Sequence, residues 1–572
     1  MTGLPKLITP EVQQRYGGIG RIIALVGAGI SILAPFLPWA WGRDALDNMT
    51  LLGYPSPLQL IGLIQGVLIA GLLIAGRLIK PERLPWRIGW VRGAKAGATG
   101  LLLYIVLILI SIAVELGGLV NVVYGGWVAL IGAVLAFVGT RLMVSERRPT
   151  LSAAVAKPWI EILAIAALMA LALFGAAFAL NHDDGGSFVS ILAAAGGFIA
   201  VLSRTGVMGW LTGVSERHRK VLILSAFVVA FLFPFTQNGS DANMSIATQV
   251  MIFAATAMGL NIVVGLAGLL DLGYIAFLGS GAFVAAILSR SAFSTVDIHP
   301  PFIVVVLISG CVAASLGLLI GSPTLRVSGD YLAIVTLAFG EIFRITMINL
   351  DGQAGPNLTN GSNGIPAIPD LVVLGFNFGK PHVVLGITLG RFSNYFFLLL
   401  FVLALIILVF VRLNASRIGR GWVAIREDER AAEAMGVNVF GLKLFAFAGG
   451  AFLAGVAGSV KAHVDVSVTP DQYVFLESAF LLAAIVLGGM GTVLGVLVGA
   501  TLLKLAPEKL RFVAEYRLLI FGLLLIVMMR FRPEGLIANE RRQLEFHEED
   551  EELVERVQEE LEETGGMKEA TR

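Results

Sequence analysis

Ala415-Ser-Arg-Ile-Gly-Arg-Gly-Trp-Val-Ala-Ile-Arg-Glu-Asp-Glu-Arg-Ala-Ala-Glu-Ala-Met-Gly436 is a charged, helix-forming stretch inside a chain that is otherwise almost wholly apolar. The charged island extends over 412–443, and apolar runs at 395–411 and 444–460 flank it. Each run is about the length needed to cross a hydrocarbon core of roughly 30 Å. Arg412, Arg417, Arg420, Arg426 and Arg430 mark the island as cytoplasmic, because Lys and Arg are retained on that side of a membrane. A cytoplasmic loop of this make-up suits the docking of a soluble partner, and gives that partner a handle on the spans beside it.

Working outward, the whole chain reads as a polytopic membrane protein. Of its 572 residues 57% are apolar and only 14% charged, and the mean hydropathy is +0.85, outside the range of soluble domains. Apolar runs at 22–39, 58–79, 98–115, 122–143, 159–180, 187–202, 221–235, 245–267, 273–289, 301–320, 331–348, 395–411, 444–460, 475–487, 492–505 and 517–529 predict an all-α bundle of about sixteen spans. The pair at 475–505 is broken by Gly488-Gly-Met-Gly491, so it fits two short spans, one kinked helix or a re-entrant hairpin.

Charge follows the alternation. Arg15 and Arg21 precede the first span. Arg77, Lys80, Arg83, Arg87, Arg92 and Lys95 lie between the second and third, and Arg141, Arg147, Arg148 and Lys157 follow the fourth. The pattern puts both termini inside. The last 32 residues, 541–572, hold twelve acidic and five basic residues, a net of −7, which leaves +8 on 1–540. The tail is expected to be a solvated acidic helix on the cytoplasmic side. The single cysteine, Cys311, excludes an intrachain disulfide and a Cys-built metal site. The start carries no cleavable-signal pattern and reads as an uncleaved anchor.

Texture divides the chain. Residues 1–240 show few polar residues within their spans and read as accessory helices. From residue 241 to 539, glycines and polar groups sit inside the apolar runs, as in a working core. In Gly265-Leu-Ala-Gly-Leu-Leu-Asp-Leu-Gly273, the residues Gly268, Asp271 and Gly273 interrupt two neighbouring helices; irregular backbone at membrane depth is tolerated where it is buried or lines a cavity. Simple helix packing and a pathway lining both fit. Glu341 and Arg344 stand three apart on one helix face and can pair, as a structural ion pair or as part of a gate. Gly489 and Gly491 mark the break in the 475–505 run and are further candidates for the translocation path or gate. The segment 351–391 contains Asn357, Asn363 and Gly364 among turn formers, and suits either a connector or the docking of an external binding protein. No G-x-x-x-x-G-K-[ST] occurs, so the chain is not itself a P-loop ATPase, and no metal cluster is spelled out. No enzyme chemistry, bound cofactor or nucleic-acid partner is expected.

Several blocks together resemble the LivM-type permeases of branched-chain amino-acid ABC importers. They are Gly268-Leu-Leu-Asp-Leu-Gly-Tyr-Ile-Ala-Phe-Leu-Gly-Ser-Gly-Ala282, Gly329-Asp-Tyr-Leu-Ala-Ile-Val-Thr-Leu-Ala-Phe-Gly-Glu-Ile342, Asn363-Gly-Ile365, Ala424-Ile-Arg-Glu-Asp-Glu429, Leu487-Gly-Gly-Met-Gly491 and Arg532-Pro-Glu-Gly-Leu536. The resemblance covers about 245–539, and residues 1–240 exceed the short N-terminal extension associated with the family. It implies a bacterial-type inner-membrane assembly with a LivH-like second permease, two cytoplasmic P-loop ATPases that use ATP and Mg, and an extracytoplasmic solute-binding protein. It also implies that Arg426, Glu427, Asp428, Glu429, Arg430, Ala431, Ala432 and Gly436 belong to the loop that couples to the ATPase. With the motif glycine at Gly436, Arg430 stands where the general importer pattern has Glu. Urea or short amides are alternative solutes for such a permease. A self-sufficient secondary transporter or channel is the rival class, and it calls for whole-chain repeats and several charged spans that the sequence lacks.

Overall fold

The computed structural model describes residues 10–41, 46, 56–79, 87–144, 146, 149, 151, 154–181, 184–237, 239–324, 330–353, 355–373, 375–384, 386–509, 516–531 and 535–537. The expected acidic helix over 541–572, and Arg532-Pro-Glu534 of the last motif, lie outside them. Among the described residues there are nineteen α-helices, and the only strands form two short hairpins. The described chain divides into two compact units, Met1–Asn243 with Glu508–Ala514, and Met244–Pro507 with Glu515–Arg572.

The first unit holds α1 (Pro10–Leu33), α2 (Pro57–Leu78), α3 (Trp90–Glu115), α4 (Tyr124–Arg141), α5 (Pro158–Leu180), α6 (Gly185–Thr205), α7 (Val207–Arg217) and α8 (Arg219–Thr236). Small residues set its tightest contacts. A Cβ on Gly27 of α1 would stand 2.3 Å from the Ala136 nitrogen of α4, and one on Gly100 of α3 would stand 2.7 Å from Cα of Gly197 in α6. Without an aqueous phase to drive helices together, close backbone approach is the main source of attraction between spans. Ser56 closes a capping box on Gln59 at the start of α2. The buried Glu161 of α5 is held by Arg217 at 2.7 Å and His218 at 3.0 Å, which joins α5 to the end of α7.

The second unit holds α9 (Asp241–Asn261, its first residues in the first unit), α10 (Ile275–Ile287), α11 (Phe302–Thr324), α12 (Asp330–Asn349), α13 (Arg391–Ala415), α14 (Arg417–Glu427), α15 (Glu429–Ala434), α16 (Val439–Asp465), α17 (Phe475–Gly488), α18 (Val493–Lys509) and α19 (Arg517–Phe531). Its centre is α16. Gly455 and Gly458 let α10 and α11 press against α16: an added Cβ would come 2.6 Å from the Ser309 oxygen of α11 or 2.1 Å from the Leu278 oxygen of α10. Tyr274, fully buried, donates its hydroxyl to the Gly450 carbonyl at 2.6 Å.

Among the described residues, thirteen helical segments are long and apolar enough to cross a membrane. Helices also lie at the other three predicted positions, but α10, α18 and α19 have only 13, 17 and 15 residues. At about 1.5 Å per residue, 13 residues rise roughly 20 Å, short of a hydrocarbon core of about 30 Å. The 475–505 run is two helices, α17 and α18, folded back on each other. A Cβ on Gly488 would stand 1.9 Å from the Gly495 oxygen, and one on Gly499 would stand 2.0 Å from the Ala484 oxygen. A single kinked helix is thereby excluded.

Candidate functional site

The charged island is two helices and three sharp joints. Each joint is capped by the residue type that helix ends require. Ser416 accepts from Gly419 N at 3.2 Å to start α14, Asp428 accepts from Arg430 N and Ala431 N at 2.9 and 3.0 Å to start α15, and Asn438 accepts from Gly441 N at 3.0 Å to start α16. Gly436, at φ +82°, takes the left-handed position that ends α15, and the Val437 amide closes back on the Ala432 carbonyl at 3.1 Å. Trp422 is fully buried, donates Nε1 to the Leu442 carbonyl at 2.8 Å and stacks on Phe445. Glu429 pairs with the buried Lys443 at 2.6 Å. The island is therefore a rigid elbow built onto the first turns of α16. Glu427, Asp428, Glu429, Arg430, Ala431 and Gly436 are exposed, Met435 is 84% exposed, and Ala432 is turned inward.

Arg426 reaches out of this elbow. Its Nη2 pairs with Glu427 at 2.6 Å, and its Nη1 donates to the Gly265 carbonyl at 3.0 Å. Gly265 sits in a π-helical turn, Ile262–Leu266, that ends α9. Such turns leave carbonyls without their regular partner, and a helix C-terminus carries partial negative charge, so a guanidinium is well placed there. Gly268, at φ +72°, lies against the same side chain: a Cβ there would meet Arg426 Cγ at 2.6 Å. Two motifs that the sequence offered separately thus meet across about 160 positions of chain.

From the π turn the contact continues. Asn261, fully buried, accepts from Gly491 N at 2.8 Å and donates to the Thr492 carbonyl at 3.4 Å. Gly265 leaves room for that side chain, since a Cβ would stand 2.0 Å from Asn261 Oδ1. Gly489 and Gly491, both at positive φ, form the turn between α17 and α18. Residues 535–537 close the other side of this turn, with Leu536 N donating to the Leu487 oxygen at 2.8 Å and Ile537 N to the Gly488 oxygen at 2.9 Å.

Asp271 and Gly273 occupy the irregular link between α9 and α10. Asp271 is 1% exposed, and its Oδ1 accepts from Gly273 N at 2.9 Å. Thr336 of α12 accepts from Leu272 N at 3.0 Å. Gly273 packs on the backbone of α12, where a Cβ would stand 1.8 Å from the Thr336 oxygen. About two turns further along α12, Arg344 pairs with Glu341 at 2.6 Å and also with Asp471 at 3.2 Å. The sequence reading paired the first two and missed Asp471, which follows α16 and is 127 positions away.

The 351–391 segment is ordered by specific bonds. Asn357 is exposed beside Gly352, and Asn363 closes a short 3-10 turn, Gly361–Asn363. Gly364, at φ +65°, lies where a Cβ would stand 2.1 Å from the Val468 oxygen, and next to it Ile365 and Val468 exchange both amide hydrogen bonds at 2.9 and 3.0 Å. Hairpins Val372–Val373 with Phe376–Asn377, and His382–Val384 with Ile387–Leu389, complete the segment. Gly364→Ala is expected to part Ile365 from Val468, and chymotrypsin should then cut after the exposed Phe376 several-fold faster than in the wild type. Equal cleavage rates would show that this pairing does not hold the segment.

The family described as branched-chain amino acid transport system / permease component matches residues 242–529. The chain is 39% identical over 346 residues to the branched-chain amino-acid permease LivM of Salmonella typhimurium, covering 58% of this chain and 78% of that one. It has the same identity and coverage with LivM of Escherichia coli. The chain belongs to the branched-chain amino-acid transport permease family. The match to this family spans the elbow, the broken helix and the α17–α18 turn. LivH of Escherichia coli is 29% identical over 141 residues, 24% of this chain and 44% of that protein. No solved structure matches. Members of this family are permease subunits rather than enzymes, and among the described residues no three His, Cys, Asp or Glu gather as a metal site.

Proposed function

We propose that this chain forms half of a translocation path for branched-chain amino acids in a cytoplasmic membrane, paired with a LivH-like permease. Two ATPases using ATP and Mg grip the exposed face of the elbow, Arg430, Ala431 and Met435, and a solute-binding protein docks on the 351–391 segment near Asn357 and Asn363. The carrying observation is Arg426, which belongs to the elbow and holds the open end of α9 by the Gly265 carbonyl. Movement of the elbow then acts at two places: on α16, which it precedes directly, and on the π turn through one guanidinium. Glu341, Arg344 and Asp471 form a charged latch beside the α9–α10 link. Alternating access needs two discrete packings biased by a partner, and stiff caps on the elbow make it a lever rather than a hinge.

The test is uptake by the complete complex in vesicles, with leucine, urea and a short amide compared. ATP-dependent leucine uptake is expected, and Arg430→Glu should lower it by roughly tenfold or more, because like charges set together at an interface cost several kcal/mol. Affinity of the binding protein for its solute should not change. Uphill transport by the purified chain alone, driven by protons or sodium, would overturn the reading.

A further inference from the structure

The helices of the first unit line a half-open cavity of about 690 Å³ between α3, α4 and α6. Four cations line its mouth. Arg92 and Lys95 come from the first turns of α3, Arg141 is the last residue of α4, and Arg204 lies in the last turn of α6. Among the described residues no carboxylate lines it. Three of the four are held in place by hydrogen bonds to neutral acceptors. Arg92 Nε donates to the Glu146 carbonyl at 2.9 Å, Lys95 Nζ to the Met143 carbonyl at 2.8 Å, and Arg141 Nη2 to Thr99 Oγ1 at 3.2 Å. The Glu146 carboxylate accepts from the Val91 amide at 3.2 Å; its charge offsets part of that on Arg92, and burial pushes its carboxyl up from the ordinary value.

Deeper in, the lining changes character. From Arg92 the α3 wall runs to Leu103, and from Arg204 the α6 wall runs back to Ala193, each roughly 16 Å of helix at about 1.5 Å per residue. Gly100 and Gly197 touch backbone to backbone at the floor of this groove, while Gly196 has nothing within 4 Å of its Cβ position and opens it to the side. The cavity is thus a cationic mouth at the basic end of the bundle, continued by a mostly apolar slot of roughly 10 Å, about a third of a hydrocarbon core.

We propose that this cavity binds an anionic glycerophospholipid, with the phosphate among Arg92, Lys95, Arg141 and Arg204 and part of an acyl chain along Gly100 and Gly196. Four cations set around one mouth attract an anion, and basic pockets between spans on the cytoplasmic side take phosphate head groups. A soluble phosphate satisfies the mouth and leaves the slot unfilled. A lipid satisfies both, so the lipid is favoured. The site gives the first unit a role that does not depend on the transport reading.

The experiment is native mass spectrometry of the full-length chain in detergent, titrated with phosphatidylglycerol or phosphatidylcholine. Phosphatidylglycerol should be retained at least roughly tenfold better than phosphatidylcholine, and Arg141→Gln with Arg204→Gln should weaken it by roughly thirtyfold, two charges at a membrane surface. Arg141→Lys with Arg204→Lys should keep the binding, which separates charge from folding. Gly196→Leu, which fills open space, should also release the lipid. Equal retention of both lipids, or wild-type retention by the glutamine variant, would overturn the proposal. So would displacement of phosphatidylglycerol by millimolar inorganic phosphate together with no effect of Gly196→Leu, which identifies a soluble-anion site.

Discussion

Arg426→Ala is expected to cut ATP-dependent uptake by roughly tenfold or more while the amount of ATPase that co-purifies stays close to wild type. The guanidinium carries a charge-assisted hydrogen bond to the Gly265 carbonyl at 3.0 Å, and such bonds contribute about 1.5–3 kcal/mol. Loss of that bond uncouples the elbow from the π turn without touching the exposed face that a partner would grip. Arg426→Lys should recover only part of the activity, because an ammonium is a point charge and lacks the fork that serves Glu427 and Gly265 together. Gly268→Ala should resemble Arg426→Ala, since its methyl would land 2.6 Å from Arg426 Cγ and push that side chain away. Wild-type uptake from the alanine variant in an intact complex would remove Arg426 from the coupling path.

Gly273→Ala should act differently, on folding itself. Its Cβ would stand 1.8 Å from the Thr336 oxygen and 2.7 Å from the Thr336 carbonyl carbon, both backbone atoms that no rotamer change can move. Overpacking of this kind costs about 1–3 kcal/mol and occasionally more. With α12 pressed directly on the α9–α10 link, the upper end is expected: a clear fall in the thermal midpoint in detergent and poor yield. Gly449→Ala is the matched control, because nothing lies within 4 Å of its Cβ position, and it should behave as wild type. Equal midpoints for the two variants would mean that α12 and the link separate without cost.

The bundle was legible because a bilayer imposes one length and one composition on every span, and each predicted apolar run coincides with a helix. Three things were not. Helix α7 has only 11 residues and a mixed face, so it falls below the length that a hydropathy window detects. The two hairpins in the 351–391 segment are two or three residues per strand, set by turn chemistry rather than by a readable alternation. The partners of Arg426, Asn261 and Arg344 lie 161, 230 and 127 positions away, and pairings of that range come from tertiary packing alone. A signal for Asn261 did exist: a full carboxamide in an apolar run must find a partner, since an unpaired amide in hydrocarbon costs several kcal/mol. The elbow showed its charges but not their division of labour. Asp428 and Gly436 turn the chain, Glu429 ties down Lys443, and the outward face falls to Arg430, Ala431 and Met435.

The short pairing of 535–537 with the α17 carbonyls has a mechanical corollary. The polypeptide that continues past Ile537 is moored to the pivot of a helical hairpin, not to the rim of the bundle. Tension applied to that end is borne in part by two hydrogen bonds to the Leu487 and Gly488 carbonyls, in the turn whose Gly491 amide donates to Asn261.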